Sequence, residues 1–197
     1  MTDARTIATY DERAAEYAQI VTQDAPDESL QGFIDLIPKG GKVLDLGCGP
    51  GAASFHMQNA GLIPDPIDAS EGMITIAREK YALNARVGRF DDVTEQEIYD
   101  GVWANFCLLH APRDHLARYF AALFAATKPG GILHVGMKTG MGTGRDTINR
   151  LYTYVTVDEL SVLFTGAGYT VTYVREGKEA GLAGTIDPFV IMRGKKP

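Results

Sequence analysis

Two cysteines, one tryptophan and no basic run longer than Lys195-Lys196 set the first limits on this 197-residue chain. Neither Cys48 nor Cys107 sits in a metal-ligand or redox spacing, and two cysteines make no disulfide framework. Nucleic-acid surfaces need clustered Lys and Arg, yet 19 Lys and Arg face 25 Asp and Glu, a net charge of −6. Nucleic acid is therefore not an expected partner. No stretch approaches the ~18 apolar residues of a membrane span, and no membrane association is expected. The start MTDARTIATYDERAAEY lacks the apolar core of a signal peptide. A reducing, cytoplasmic setting follows as the expectation. His56, His110, His115 and His134 form no recognisable ligand spacing with carboxylates, so no metal is expected. Nothing in the sequence decides between a monomer and a homodimer.

What the chain has in excess is glycine: 22 in 197 residues, against a usual ~7%. With 45% hydrophobic and 22% charged residues the composition is that of a globular chain. The length suits one domain over 1–197, with a helical cap or lid over 1–40 and a core over 41–197.

Residues 11–21 read as a helix. In 28–37, Leu30, Phe33, Ile34 and Ile37 recur at helical spacing up to Pro38. Lys42–Leu46 is apolar enough for a strand buried on both faces. A loop over Gly47–Gly51 and a helix over 52–60 follow. Further strands are expected at Ile63–Asp68, Ala85–Val87, Gly101–Phe106, Gly131–Met137, Val171–Val174 and Phe189–Met192. Helices are expected at Ser70–Lys80, with Ser70 as N-cap, at Arg113–Thr127, and from the capping box Thr156–Glu159 to Ala167. Lys128–Gly131 suits a type II turn, and Gly136, Gly140, Gly142 and Gly144 suggest a loop. Alternating strands and helices predict an α/β fold: a seven-stranded, mostly parallel, doubly wound sheet with helices on both faces.

The central motif is Val43-Leu44-Asp45-Leu46-Gly47-Cys48-Gly49-Pro50-Gly51, a buried strand entering a glycine turn before a helix. Glycine there lets a ligand approach the backbone. Asp68 ends the next strand, where a carboxylate accepts hydrogen bonds from a ribose diol. Gly47-x-Gly49-x-x-Ala52 also satisfies the dinucleotide pattern, so an NAD(P)-dependent oxidoreductase stays open as an alternative. Charge separates the two. A dinucleotide places a pyrophosphate at this turn, which the Asp45 carboxylate repels. S-adenosylmethionine instead brings an ammonium and a sulfonium.

VLDLGCGPG resembles the first motif of the class I (Rossmann-like) S-adenosylmethionine-dependent methyltransferases. Asp68-Ala69-Ser70-Glu71-Gly72-Met73, YDGVWANFCLLH and KPGGILHV resemble its second, fourth-strand and fifth-strand motifs. Tyr10-Asp11-x-x-Ala14-x-x-Tyr17, Trp103-Ala104 with Leu108-Leu109-His110, and Lys138 are similar to the small tellurite-resistance-type branch. The resemblance implies S-adenosylmethionine as cofactor, S-adenosylhomocysteine as product and a small-molecule acceptor. Asp45, Gly47 and Gly49 would hold the methionine part, with Cys48 a small spacer in the same loop. Asp68 would take the ribose, Ala69 and Met73 the adenine. Phe90 with Asp91 or Asp92 would meet the adenine ring and its amino group, and Asn105 and Phe106 would offer backbone near the methionine end.

Two departures stand out. Pro64 and Pro66 each remove a ladder donor, which predicts a short or distorted second strand. Asp91 and Asp92 stand adjacent where one acid is expected. On the acceptor side the candidates are His110, Tyr10 and Tyr17 as catalytic residues, with Lys138, Arg145 and Tyr152 around them. His110 falls where ligands of such sheets bind and suits a base or an orienting group. Direct in-line displacement to a heteroatom is the expected reaction; a non-catalytic S-adenosylmethionine-binding or sensing module is the alternative.

Overall fold

The structure, a computed structural model, describes residues 3–20, 24–180 and 184–197. Val21, the end of the first expected helix, lies outside them. That helix is instead two, α1 (Ala4–Glu12) and α2 (Ala14–Ile20). Asp3 caps α1 by accepting Thr6 N–H, so the helix starts earlier than periodicity suggested. α3 is Glu28–Ile34, α4 Ala52–Asn59, α5 Glu71–Tyr81, α6 Leu116–Ala126 and α7 Val157–Ala167. The strands are β1 Lys42–Leu46, β2 Ile63–Asp68, β3 Arg86–Val87, β4 Tyr99–Asn105, β5 Thr127–Lys138, β6 Thr143–Arg145, β7 Leu151–Thr153, β8 Thr170–Ala180 and β9 Ile186–Lys195.

Seven strands form one sheet in the order β3-β2-β1-β4-β5-β9-β8. The first five are parallel; β9 runs antiparallel to both β5 and β8. The expected α/β architecture is therefore present. Side chains alternate across it. Leu44, Val102, Leu133 and Val190 meet Leu116, Phe120 and Leu123 of α6 and Leu160 and Phe164 of α7. Val43, Trp103 and Ile132 meet Leu30, Phe33 and Ile34 of α3 and Met57 of α4 on the other face. Each such apolar side chain contributes ~1.5–3 kcal/mol when fully buried. α7 opens on the expected capping box, Thr156 with Glu159.

The expected distortion of the second strand does not occur. β2 pairs with β1 over five positions, from Lys42 with Ile63 to Leu46 with Ile67. Ile63 N–H points to β1, donating to Gly41 O. Pro64 and Pro66 therefore face the other side, where β3 reaches only Ile67 and Asp68. Their missing donors fall on an open edge, where proline is tolerated. The glycine-rich loop also proves partly strand: β6 pairs with β7 in a two-stranded hairpin. α1 lies between this hairpin and α5. Thr6 Oγ1 accepts from Leu151 N (2.8 Å), and Asp11 Oδ1 accepts from Ser70 Oγ (2.6 Å) and Gly72 N (3.1 Å).

Candidate active site

The turn after β1 is built by close approach. Gly47 has φ +68, and a Cβ there would lie 2.4 Å from Cys107 Cβ, so both conformation and space demand glycine. The turn is fastened to β2: Gly47 N and Cys48 N both donate to Ile67 O, at 2.8 and 3.0 Å. Gly49 N donates to Asp68 Oδ2 at 2.9 Å. Three successive amides are thus consumed inside the protein. A phosphate cradle needs such amides free. These three amides fasten the turn to the end of β2 and are not available to a pyrophosphate.

Asp45 sits at the base of this turn, 1% exposed, with Oδ2 accepting the Ser54 hydroxyl at 2.7 Å. Among the described residues no cation pairs with it. Burial pushes its pKa up to about 7, opposed by the Ser54 bond, with the charge of Asp68 adding to the rise. Burial likewise raises Asp68, opposed by the amides of Ser70 and Gly49. Both acids line connected hollows. One, about 370 Å³, is walled by Asp45, Gly47, Cys48, Gly49, Trp103 and Asn105 and extends to Tyr10, His110, Lys138 and Arg175. The other, about 80 Å³, holds Asp68, Ala69, Met73, Phe90, Asn105 and Phe106. The larger falls in the range of small-molecule sites, roughly 300–1,000 Å³.

At the acceptor end three side chains form a chain of hydrogen bonds. Arg150 Nη1 donates to Tyr10 Oη at 2.9 Å, and Tyr10 Oη lies 2.8 Å from His110 Nε2. His110 Nδ1 is 2.6 Å from Leu151 O. A carbonyl only accepts, so Nδ1 carries the proton and Nε2 accepts from Tyr10. Burial lowers the His110 pKa to about 4, opposed by the Leu151 bond and reinforced by nearby Arg150. The imidazole is neutral near pH 7 and its lone pair is engaged. Tyr10 stays a neutral phenol, held well above its usual pKa by burial. The Tyr17 ring lies 5.6 Å from that of Tyr10, edge to face, and beside Gly49.

Asn105 bridges the two hollows. Arg193 Nε donates to His134 Nδ1 (3.3 Å), leaving His134 Nε2–H to donate to Asn105 Oδ1 (3.2 Å). The Asn105 carbonyl is thereby fixed, and its amide N–H groups remain for a ligand. His134 also stacks on Trp103, 3.7 Å between ring centres.

Most expected site residues meet at these hollows: Tyr10, Tyr17, Asp45, Gly47, Cys48, Gly49, Asp68, Ala69, Met73, Phe90, Asn105, Phe106 and His110. Asp91 and Asp92 do not line them. Asp91 pairs with Arg118 and meets Tyr119, while Asp92 accepts Arg89 N at 2.8 Å. Arg145 pairs with Asp3 at 2.8 Å, away from the hollows. Sequence reasoning missed Ser54, Arg150 and Arg175. Ser54 carried a signal, a hydroxyl in the first turn of the helix after the strand acid; Arg175 carried none.

Residues 43–131 match the methyltransferase domain family. The fold is that of solved S-adenosylmethionine-dependent methyltransferases. Over 117 residues it is 35% identical to trans-aconitate 2-methyltransferase of Variovorax paradoxus, covering 57% of this chain and 44% of that protein. The chain spans about half the length of the curated relatives it matches. In fold it is similar to the 1,6-didemethyltoxoflavin-N1-methyltransferase of Burkholderia thailandensis, solved with 1,6-didemethyltoxoflavin and S-adenosylhomocysteine. That likeness has a TM-score of 0.75 and 18% identity, and covers 98% of this chain and 88% of the other. It is also similar to the [4+2]-cyclase SpnF: TM-score 0.73, 14% identity, 96% and 95% covered. S-adenosylmethionine fits the hollows: buried Asp45 and half-buried Asp68, without a paired cation among the described residues, beside a turn whose Gly47, Cys48 and Gly49 amides are taken. Among the described residues no helix is long and apolar enough to cross a membrane.

Proposed function

We propose that this protein transfers the methyl group of S-adenosylmethionine to a heteroatom of a small molecule by direct in-line displacement. The observation that carries the reading is Asp45, buried beside the turn with no cation among the described residues paired to it. Asp45 would hold the methionine ammonium as that cation. Asp68 would accept from the ribose, Ala69, Met73 and Phe90 would surround the adenine, and Asn105 and Phe106 would border the methionine end. When bound, the cofactor supplies an activated methyl; the chain's own residues orient the acceptor and exclude water. Tyr10, Tyr17 and His110 wall the acceptor side. Orientation of this kind lowers barriers by up to ~7–11 kcal/mol in intramolecular systems. We place the protein in the cytoplasm, as a monomer or homodimer.

One observation favours a second reading, a module that binds the cofactor without turnover: both His110 nitrogens are engaged and its pKa is low, so it is no ready base. Production of S-adenosylhomocysteine across a panel of carboxylates, thiols, phenols and amines separates the two. Turnover of any acceptor supports transfer. Saturable cofactor binding without turnover on the whole panel supports the second reading. Binding of NAD in place of S-adenosylmethionine contradicts both.

A further inference from the structure

Three cations reach the larger hollow: Lys138, Arg150 and Arg175. Two are neutralised within the wall. Lys138 pairs with Asp187 and lies over the Tyr152 ring. Arg150 Nη2 is 2.7 Å from Asp146 Oδ2. Arg175 is different. Its Nη2 donates to the Ser29 hydroxyl at 2.9 Å and its guanidinium lies over Phe189, 5.3 Å from the ring centre. Its Nε is buried without a hydrogen-bond partner. No carboxylate of a described residue stands within 4.0 Å of it, although Asp27 and Glu179 share the wall. A planar guanidinium with unused donors matches a carboxylate.

At the other end of the hollow neither His110 nor Tyr10 offers a free base. The His110 lone pair is taken by Tyr10, and Tyr10 is neutral. The acceptor atom must arrive deprotonated. Near pH 7 carboxylates do so, with ordinary values near ~4, whereas phenols and alkylamines, near ~10, do not. The two ends are also apart. Arg175 pairs with Ile191, Ile191 with Gly136, and Gly136 with Asn105. Three strand spacings separate the backbone of Arg175 from that of Asn105, about 14 Å.

Resting on the transfer reading above, we propose that the acceptor is a small polycarboxylate, docked by one carboxylate on Arg175 and methylated on another. The second carboxylate oxygen attacks the methyl carbon; the new O–CH3 bond forms as the S–CH3 bond breaks, and its electron pair stays on sulfur. The carboxylate charge and the sulfonium charge cancel, leaving a methyl ester and neutral sulfide, with no proton moved.

The test incubates the full chain with S-adenosylmethionine and short dicarboxylates, tricarboxylates, monocarboxylates, thiols and phenols. S-adenosylhomocysteine is followed and products are identified by mass spectrometry. The expected result is a base-labile methyl ester of a polycarboxylate. Arg175→Gln then raises its KM at least tenfold, with kcat and the calorimetric affinity for S-adenosylhomocysteine little changed, and Arg175→Lys restores part of the loss. Turnover confined to thiols, phenols or monocarboxylates, no turnover on any polycarboxylate, or a KM indifferent to Arg175 overturns the proposal. Unchanged S-adenosylhomocysteine binding in those cases leaves the cofactor reading standing. Loss of that binding in the parent chain removes the transfer reading itself.

Discussion

Tyr10 and His110 meet through a 2.8 Å hydrogen bond between phenol and imidazole Nε2. The bond joins α1 to the turn after β4, so the N-terminal helix completes the acceptor wall. It also settles the imidazole: the Leu151 carbonyl holds the proton on Nδ1 and the phenol holds the other nitrogen.

Tyr10→Phe leaves Arg150 Nη1 and His110 Nε2 each without the partner they have now. Buried unsatisfied groups cost about 1–3 kcal/mol each. The variant should unfold at clearly lower urea than the parent, by about 2–6 kcal/mol in all. An unchanged midpoint would mean that water replaces the phenol at no cost.

Asp45 and His110 act oppositely on stability as pH changes. The folded pKa of His110, about 4, lies below its ordinary 6.5, so its neutral form is favoured. Its contribution is full above ~6.5 and is lost as pH falls toward 4. The folded pKa of Asp45, about 7, lies above its ordinary 3.8, so its contribution is full below 3.8 and lost as pH rises through 7. The parent chain should therefore show a shallow pH dependence between 4 and 6.5 from this pair. Asp45→Asn removes one side, and its stability should fall by about 3 kcal/mol from pH 6.5 to 4. Urea denaturation across that window checks it; a variant as flat as the parent contradicts the assignment.

Asp68→Ala deletes the acceptor of the Gly49 and Ser70 amides and the proposed ribose contact. S-adenosylhomocysteine affinity should drop by about 1.5–3 kcal/mol, the scale of hydrogen bonds to a charged group. Calorimetry with affinity intact would take Asp68 out of the site.

Gly47→Ala meets two obstacles, a φ of +68 and a Cβ placed 2.4 Å from that of Cys107. The double variant with Cys107→Gly relieves only the second. We expect a loss above about 2 kcal/mol in the single variant and partial recovery in the double, read by thermal melting. Full recovery would show that the clash alone matters.

Local signals carried well from sequence to fold. The apolar run of β1, the glycine turn, the Ser70 cap and the Thr156–Glu159 box each depend on neighbours along the chain, and each stands as read. What stayed hidden depends on distant partners. Pro64 and Pro66 are harmless only because β3 is too short to face them. The β6–β7 hairpin is only three pairs long, and β6 begins within a glycine-rich stretch. Arg193, His134 and Asn105 come from three strands, so their relay has no linear pattern. Arg175 gains its place through Ser29, at a separation of 146 residues.

The most direct test of the Asp45 assignment counts protons. At pH 6 a carboxyl of pKa about 7 is mostly protonated, while the cofactor ammonium, near ~8, is already charged. Binding of S-adenosylhomocysteine, titrated calorimetrically in buffers of different ionisation enthalpy, should release close to one proton. Asp45→Asn should abolish most of that release. Binding at pH 6 with no proton released would contradict the pairing of Asp45 with the ammonium.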